Sequence, residues 1–241
     1  MEWAIFWAAA GVIATAVVPL LIWYLDRRKD RAAAGELSAE DAEWVIERGG
    51  DYKSLLQLLL SLDHAALPGL NDLTAGNAET KAAVFEKSTE TWYLVVFRDS
   101  LVVGYWSLFS LSDRLVERLE KGVMYDYEIT EAEVHSIRES RAHSLYVEMF
   151  GVHPAFEKSG RTIFRMLLNS LREFGERVQS GEVQVKAIYA TGFSDHGAAL
   201  ARAFGLEALV PSIQGGHVYR TLDVGVPMRK LETLRHRRVH R

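Results

Sequence analysis

The sequence predicts an α/β domain, a mixed central sheet flanked by helices, preceded by one transmembrane helix. Three features carry this. Residues 3–25 hold no charge; two β-rich runs lie two residues apart near the middle of the chain; and a strand–helix–strand–helix order follows residue 143. The composition agrees, since 49% hydrophobic and 25% charged residues with only 5 prolines in 241 describe a globular chain, and no internal repeat interrupts it. Cysteine is absent, which removes disulfides, thiolate metal sites, iron–sulfur clusters and cysteine nucleophiles. With 32 acidic against 28 basic residues the net charge is −4, so nucleic acid is not an expected partner.

The first element is the transmembrane helix, residues 1–25. Its uncharged run from Trp3 to Leu25 would reach roughly 35 Å at about 1.5 Å per residue, enough to cross the hydrocarbon slab. Trp3, Trp7, Trp23 and Tyr24 stand where aromatic rings favour the membrane interface, and Pro19 is tolerated in such a helix. A cleaved signal peptide would begin with basic residues and end in small ones; here Met1-Glu2-Trp3 opens the chain, and large residues precede the charges. Arg27, Arg28, Lys29 and Arg31 follow the span at once, which places the C-terminal bulk in the cytoplasm: a single-pass membrane protein. Residues 26–50 form a basic juxtamembrane stretch and a stalk helix, with Ser38 as N-cap and Gly49-Gly50 as its close.

The folded domain spans residues 51–223. Asp51 precedes a Leu-rich helix in which Leu55, Leu56, Leu58, Leu59 and Leu62 cover one broad face. Residues 69–81 read as loop. Residues 91–98 and 101–109 predict an antiparallel hairpin about Asp99-Ser100, with Trp92, Tyr93 and Trp106 as core and sheet surface. A short amphipathic helix over 112–121 ends at Gly122. A strand over 144–152 stops at His153-Pro154, an amphipathic helix opens at Gly160, and a strand over 183–189 follows. A helix over 194–204 and a last strand near 217–222 complete the domain. The basic tail, residues 224–241, has six Lys or Arg against one Glu from Met228 onward. It suits contact with anionic lipid, or else is a solvated helix end or a disordered terminus without a partner.

The chemistry points to residues 144–168. A strand that stops at Val152-His153-Pro154, followed by a polar loop with Gly160 at the mouth of a helix, directs backbone N–H groups and a helix dipole at one point. That arrangement suits phosphate, and Lys158 and Arg161 add positive charge beside it. No histidine spacing fits a metal site, so none is expected. Ser194-Asp195-His196 is consecutive at a helix start, where a capping role accounts for it better than a triad.

The stretch Val152-His153-Pro154-Ala155-Phe156-Glu157-Lys158-Ser159-Gly160-Arg161-Thr162 resembles the signature of the GNAT superfamily of N-acetyltransferases, in which V-x-P, an aromatic residue and [QR]-x-x-G-x-[GA] open the cofactor helix. The resemblance covers roughly residues 51–223 and implies a GNAT-like sheet with acetyl-CoA, or another acyl-CoA, as co-substrate. By that likeness Phe150 and Val152 offer backbone groups to pantetheine, while Lys158, Ser159, Gly160, Arg161 and Thr162 offer N–H groups to the pyrophosphate. Direct attack by an amine on the thioester then requires a base, and Glu148, inside an apolar strand, is the candidate because desolvation would raise its pKa. Glu148 equally reads as a solvent-facing residue on a face shared with Tyr146 and Phe150. His143 and His153 are lesser proton-transfer candidates.

Glu157 and Thr162 depart from the signature, and Ala201 stands where many members carry a tyrosine acid. Together with the uncharged run at 3–25, the resemblance implies a membrane-anchored N-acyltransferase acting on the amine of a small molecule or protein; the three departures favour the alternative. The alternative is a tethered GNAT-like module that binds acyl-CoA or a protein without turnover.

Overall fold

The computed structural model describes residues 37–41, 47, 50–66, 78–98, 101–156 and 160–236. The expected transmembrane run lies outside these. Among the described residues no helix is long and apolar enough to cross a membrane.

The elements in chain order are β1 (Leu37–Asp41), α1 (Tyr52–Ala66), α2 (Ala78–Lys87), β2 (Trp92–Phe97), β3 (Leu101–Leu111), α3 (Asp113–Glu120), β4 (Val134–His135), β5 (His143–Val152), α4 (Gly160–Gln179), β6 (Val185–Gly192), α5 (Asp195–Ala203), β7 (Glu207–Pro211), β8 (His217–Thr221) and α6 (Gly225–His236). The sheet runs β1-β2-β3-β5-β6-β8-β7, with β4 added to β3. Every pairing is antiparallel except β5 with β6. Helices cover both faces, each over its own apolar core. Leu55, Leu59, Phe85 and Leu115 of α1, α2 and α3 fill one; Ile163, Leu167, Ala201 and Met228 of α4, α5 and α6 fill the other.

Local signals account for most of these elements. The Asp51 carboxylate accepts from the Ser54 N–H at 2.7 Å and caps α1, as Ser112 caps α3 and Ser194 caps α5. Three residues, 98–100, separate β2 from β3, one more than the sequence runs suggest, and Phe97 stands opposite Leu101. Gly104 in β3 lets α4 lie close. A Cβ there would stand 2.7 Å from Ile163 Cγ2 and 3.0 Å from the Gly151 carbonyl oxygen.

Four regions differ from the sequence reading. Ser38 does not cap a stalk helix: residues 37–41 are β1, because the open edge of β2 offers five residues a backbone ladder that a local cap cannot match. Residues 78–81, expected as loop, begin α2, a helix too weakly amphipathic to declare itself in sequence. Residues 207–211 form a strand, β7, drawn out by pairing with β8. Residues 225–236, at the head of the basic tail, are α6, whose Met228 is buried against α4. On α1, Leu58 is 48% exposed and so outside the packed face.

That split of the leucine face predicts unequal costs. Leu59→Ala should lower unfolding free energy by about 2–5 kcal/mol in a denaturant titration. Leu58→Ala should change it by no more than about 0.5 kcal/mol.

Candidate active site

The parallel pair β5–β6 is the sheet's point of divergence. Its register runs from His143–Val185 to Val147–Ala190 and stops there, while β5 continues to Val152. Among the described residues, β5 from Met149 onward is paired only to β3. Backbone groups alternate in direction along a strand. Gly151 turns its carbonyl toward Gly104, and His153 donates its N–H to the Val103 carbonyl at 2.9 Å, both on the β3 side. The backbones of Phe150 and Val152 therefore face the gap left by β6. An unpaired strand edge of this kind fits an extended, amide-bearing chain.

Glu148 sits where the strands part, and a bulge puts it there. Ser107 pairs with Met149 while the next residue, Leu108, pairs with Val147, so Glu148 is the extra residue on β5. The bulge changes the alternation. Tyr146 and Met149 pack toward the α1–α2 core, whereas Val147, Phe150 and Val152 pack toward the α4 core. Tyr146, Glu148 and Phe150 thus do not share one face, and the Glu148 side chain is only 8% exposed rather than solvated.

The carboxylate is held from two sides. Lys81 of α2, also 8% exposed, pairs with Oε1 in a short ion pair, and the Ser107 hydroxyl donates to Oε2 at 2.9 Å. Two more acids surround the same lysine. Asp63 of α1 accepts from the Tyr105 hydroxyl, 2.7 and 2.8 Å from its two oxygens. Asp126, in the turn after α3, has its Oδ1 3.2 Å from the Tyr146 hydroxyl and 3.4 Å from Gln214 Nε2. Thr191 of β6 stands 3.2 Å beyond Tyr146.

The electrostatics follow from burial. Desolvation pushes Asp63 up to about 7, opposed by the Tyr105 hydrogen bond and reinforced by Glu148. Burial also raises Asp126, against the pull of Lys81. Burial would lower Lys81, but Glu148, Asp126 and Asp63 outweigh it and hold its ammonium above the ordinary lysine value. Tyr105 and Tyr146 are raised well above a free phenol by burial and then by the neighbouring acids, so both remain proton donors. The site thus holds one fixed cation, a paired carboxylate and one acid that changes protonation near neutral pH. That last property suits proton transfer.

On the opposite face of the sheet a cavity of about 280 Å³ opens at the same point. Glu148, Phe150 and Thr191, where β5 and β6 part, line it, as do Leu171, Phe174 and Met228 of α4 and α6. Glu148 belongs to both the cavity lining and the polar cluster.

The other predicted residues are distributed as follows. Lys158 and Ser159 lie outside the described residues. Gly160 and Arg161 begin α4, and Thr162 is half-buried in its first turn. Because α4 follows the C-terminal end of β5, its N-terminus lies at the end where β5 and β6 part. His143 starts β5, five residues from Glu148 and about 16 Å along the strand. Burial lowers its pKa, Ser110 Oγ is 2.8 Å from its Nδ1, and the Glu139 carbonyl is 3.2 Å from its Nε2, a structural setting. His153 accepts from the Ala155 N–H at 3.1 Å and supports the turn before α4. Ser194 is the cap of α5, while His196 lines the cavity. Ala201 also lines it, in the helix position where a hydroxyl is lacking.

Sequence reasoning missed Asp63, Lys81, Tyr105, Asp126 and Tyr146. Asp63 was legible in part, since it falls four residues after Leu59 on the packed stripe of α1, where an acid needs a partner.

No protein-family model matches the chain, and no curated protein sequence matches it. Solved structures do resemble it. An acetyltransferase from Thermus thermophilus is 13% identical with a TM-score of 0.44, over 79% of this chain and 99% of that one. Arabidopsis thaliana NAA60 in complex with acetyl-CoA is 11% identical with a TM-score of 0.43, over 78% and 98%. Mosquito arylalkylamine N-acetyltransferase like 5b is 11% identical with a TM-score of 0.43, over 77% and 99%.

Two outcomes test the polar cluster. Lys81→Met leaves a buried carboxylate unpaired and should cost about 3–5 kcal/mol of stability near neutral pH, with most of the loss restored by adding Glu148→Gln. Asp63 holds a proton in the folded protein between pH 3.8 and about 7 that the unfolded chain releases. Stability should therefore fall as pH rises through that window, and Asp63→Asn should flatten the fall in pH-dependent melting.

Proposed function

We propose that the chain is a membrane-anchored, acyl-CoA-dependent N-acyltransferase that transfers an acyl group, acetyl in the simplest case, to a primary amine on a small molecule or protein. The observation that carries this reading is the parting of β5 and β6 beside Glu148. There a free strand edge, a cavity and a buried acid–base cluster meet, at the end of β5 from which the chain runs on to the start of α4 at Gly160.

The residues divide the work by position. Phe150 and Val152 present backbone N–H and C=O groups along the gap, which suits pantetheine. Lys158, Ser159, Gly160, Arg161 and Thr162, around the N-terminus of α4, suit the pyrophosphate. Bound acyl-CoA supplies an activated thioester carbonyl. Glu148 stands at the opening between the two faces, so an acceptor reaching the site from the α1–α2 side meets it there. It takes the proton that the ammonium must lose before nitrogen can attack, and Asp63 can take up charge in the same cluster near neutral pH. The N–C bond forms as the C–S bond breaks; the nitrogen gives its second proton to solvent, and the thiolate takes one from solvent, because Ala201 offers no hydroxyl.

A run of uncharged residues at 3–25, basic residues after it and a basic tail support a single-pass anchor with the catalytic domain on the cytoplasmic side, the tail resting on anionic lipid. The second reading is a tethered module that binds acyl-CoA or a protein without turnover. The engagement of both Glu148 oxygens, by Lys81 and by Ser107, favours it.

Calorimetric titration with acetyl-CoA distinguishes these from a protein that merely shares the architecture. A micromolar dissociation constant is expected, weakened by at least about tenfold in Gly160→Glu, which sets a like charge against the phosphates. No binding by the folded protein would overturn both readings. With an amine acceptor, Glu148→Gln should cut kcat by about a hundredfold with little change in acyl-CoA affinity. Binding without any free CoA release across amine acceptors would leave the module.

A further inference from the structure

We propose that the cavity beneath the parted strands is an acyl-chain tunnel, and that the preferred donor carries a saturated chain of about six to eight carbons rather than an acetyl group. This rests on the acyl-CoA reading above and specifies its substrate.

The cavity is amphipathic along its length. Its polar side chains, Glu148, Thr191, Ser194 and His196, come from the open ends of β5 and β6 and the start of α5. Away from that mouth the walls are hydrocarbon and aromatic: Leu108 and Leu145 from the sheet, Leu171 and Phe174 from α4, Leu206 before β7, and Met228 from α6. The one polar atom among the deeper side chains is already committed, because the Trp106 indole N–H donates to Ser170 Oγ at 2.7 Å. The backbones of Leu145 and Ile188 are opposite each other in the β5–β6 ladder and likewise satisfied. Pantetheine amides placed there would lose their hydrogen bonds to water without replacement, whereas a hydrocarbon chain would lose nothing.

Volume sets the length. A cavity of about 280 Å³ holds on the order of nine groups the size of a water, ~30 Å³ each, and a methylene is of similar size. An acetyl group would leave most of that space empty, and lining atoms without neighbours forfeit their dispersion contacts. The far wall is built specifically. Gly175 of α4 gives the Met228 sulfur its place, since a Cβ there would stand 2.3 Å from it. Met228, at the start of the basic tail, thereby lines the cavity with a side chain that adapts readily to a chain end.

The test is equilibrium titration of the full-length protein with CoA and with acetyl-, butanoyl-, hexanoyl- and octanoyl-CoA. Affinity should rise by up to about fourfold per methylene and level off once the tunnel is filled, giving hexanoyl-CoA at least about a tenfold advantage over acetyl-CoA. Leu171→Trp, filling the deep end, should reduce that advantage to about twofold or less, and Leu171→Phe should reduce it by a smaller step if the larger side chain prevents folding. Leu58→Trp, on the exposed face of α1, should keep it and thereby exclude nonspecific capture of the chain. Equal affinity for acetyl- and hexanoyl-CoA would overturn the tunnel and leave the acyltransferase standing. A chain-length preference that survives both Leu171 variants would overturn it as well. Failure of every acyl-CoA to bind would overturn the tunnel together with the reading beneath it.

Discussion

A carboxylate in the middle of a sheet covered on both faces must be paired, and the Lys81–Glu148 ion pair is how this protein satisfies that constraint. An unpaired charge at such depth would cost several kcal/mol. The pairing requires Glu148 to face α2, although strict alternation from Val147 and Phe150 would leave no room for it. The bulge supplies the extra residue. It also sits at the last rung shared with β6, so the feature that seats the charge lies where the strands separate.

From that point the two faces of the sheet acquire different characters. On the α1–α2 face the polar groups form a closed set: three acids, one lysine, two tyrosines and a serine, each bonded to another member or to Gln214. More acids than cations in a low dielectric favours protonation of the acids in excess: burial pushes Asp63 up to about 7 and raises Asp126 as well. On the other face the cavity is almost wholly apolar. A buried ion pair contributes little net stability by itself, so its value here is positional, fixing the Glu148 carboxylate between a buried polar cluster and an apolar cavity.

The helices that frame the passage are seated by small residues at close approaches. Gly104 admits α4 onto β3, which sets the start of α4 beyond the end of β5, and Gly175 admits Met228 of α6. The chamber thus depends on residues distant in sequence, from β3 near the middle of the chain to α6 near its end.

The sequence by itself determined the elements whose signals are local. Two β-rich runs two residues apart read as a hairpin, Ser194-Asp195 at a helix start read as a cap, and Gly160 at the end of a polar loop opened α4. Glu148 was conspicuous as the one charge in an apolar strand. What surrounds it was decided by tertiary structure, because the deciding terms act between residues far apart in the chain. Lys81 lies 67 positions from Glu148 on a helix whose own pattern is nearly featureless. The bulge that keeps Met149 on the face of Glu148 and sends Phe150 to the other exists only in the register with β3, and β1 and β7 form because a neighbouring strand had an open edge. Capping and periodicity are paid for within a few residues and can be read there; the pairing of buried charge and the shape of a cavity are properties of the packed whole.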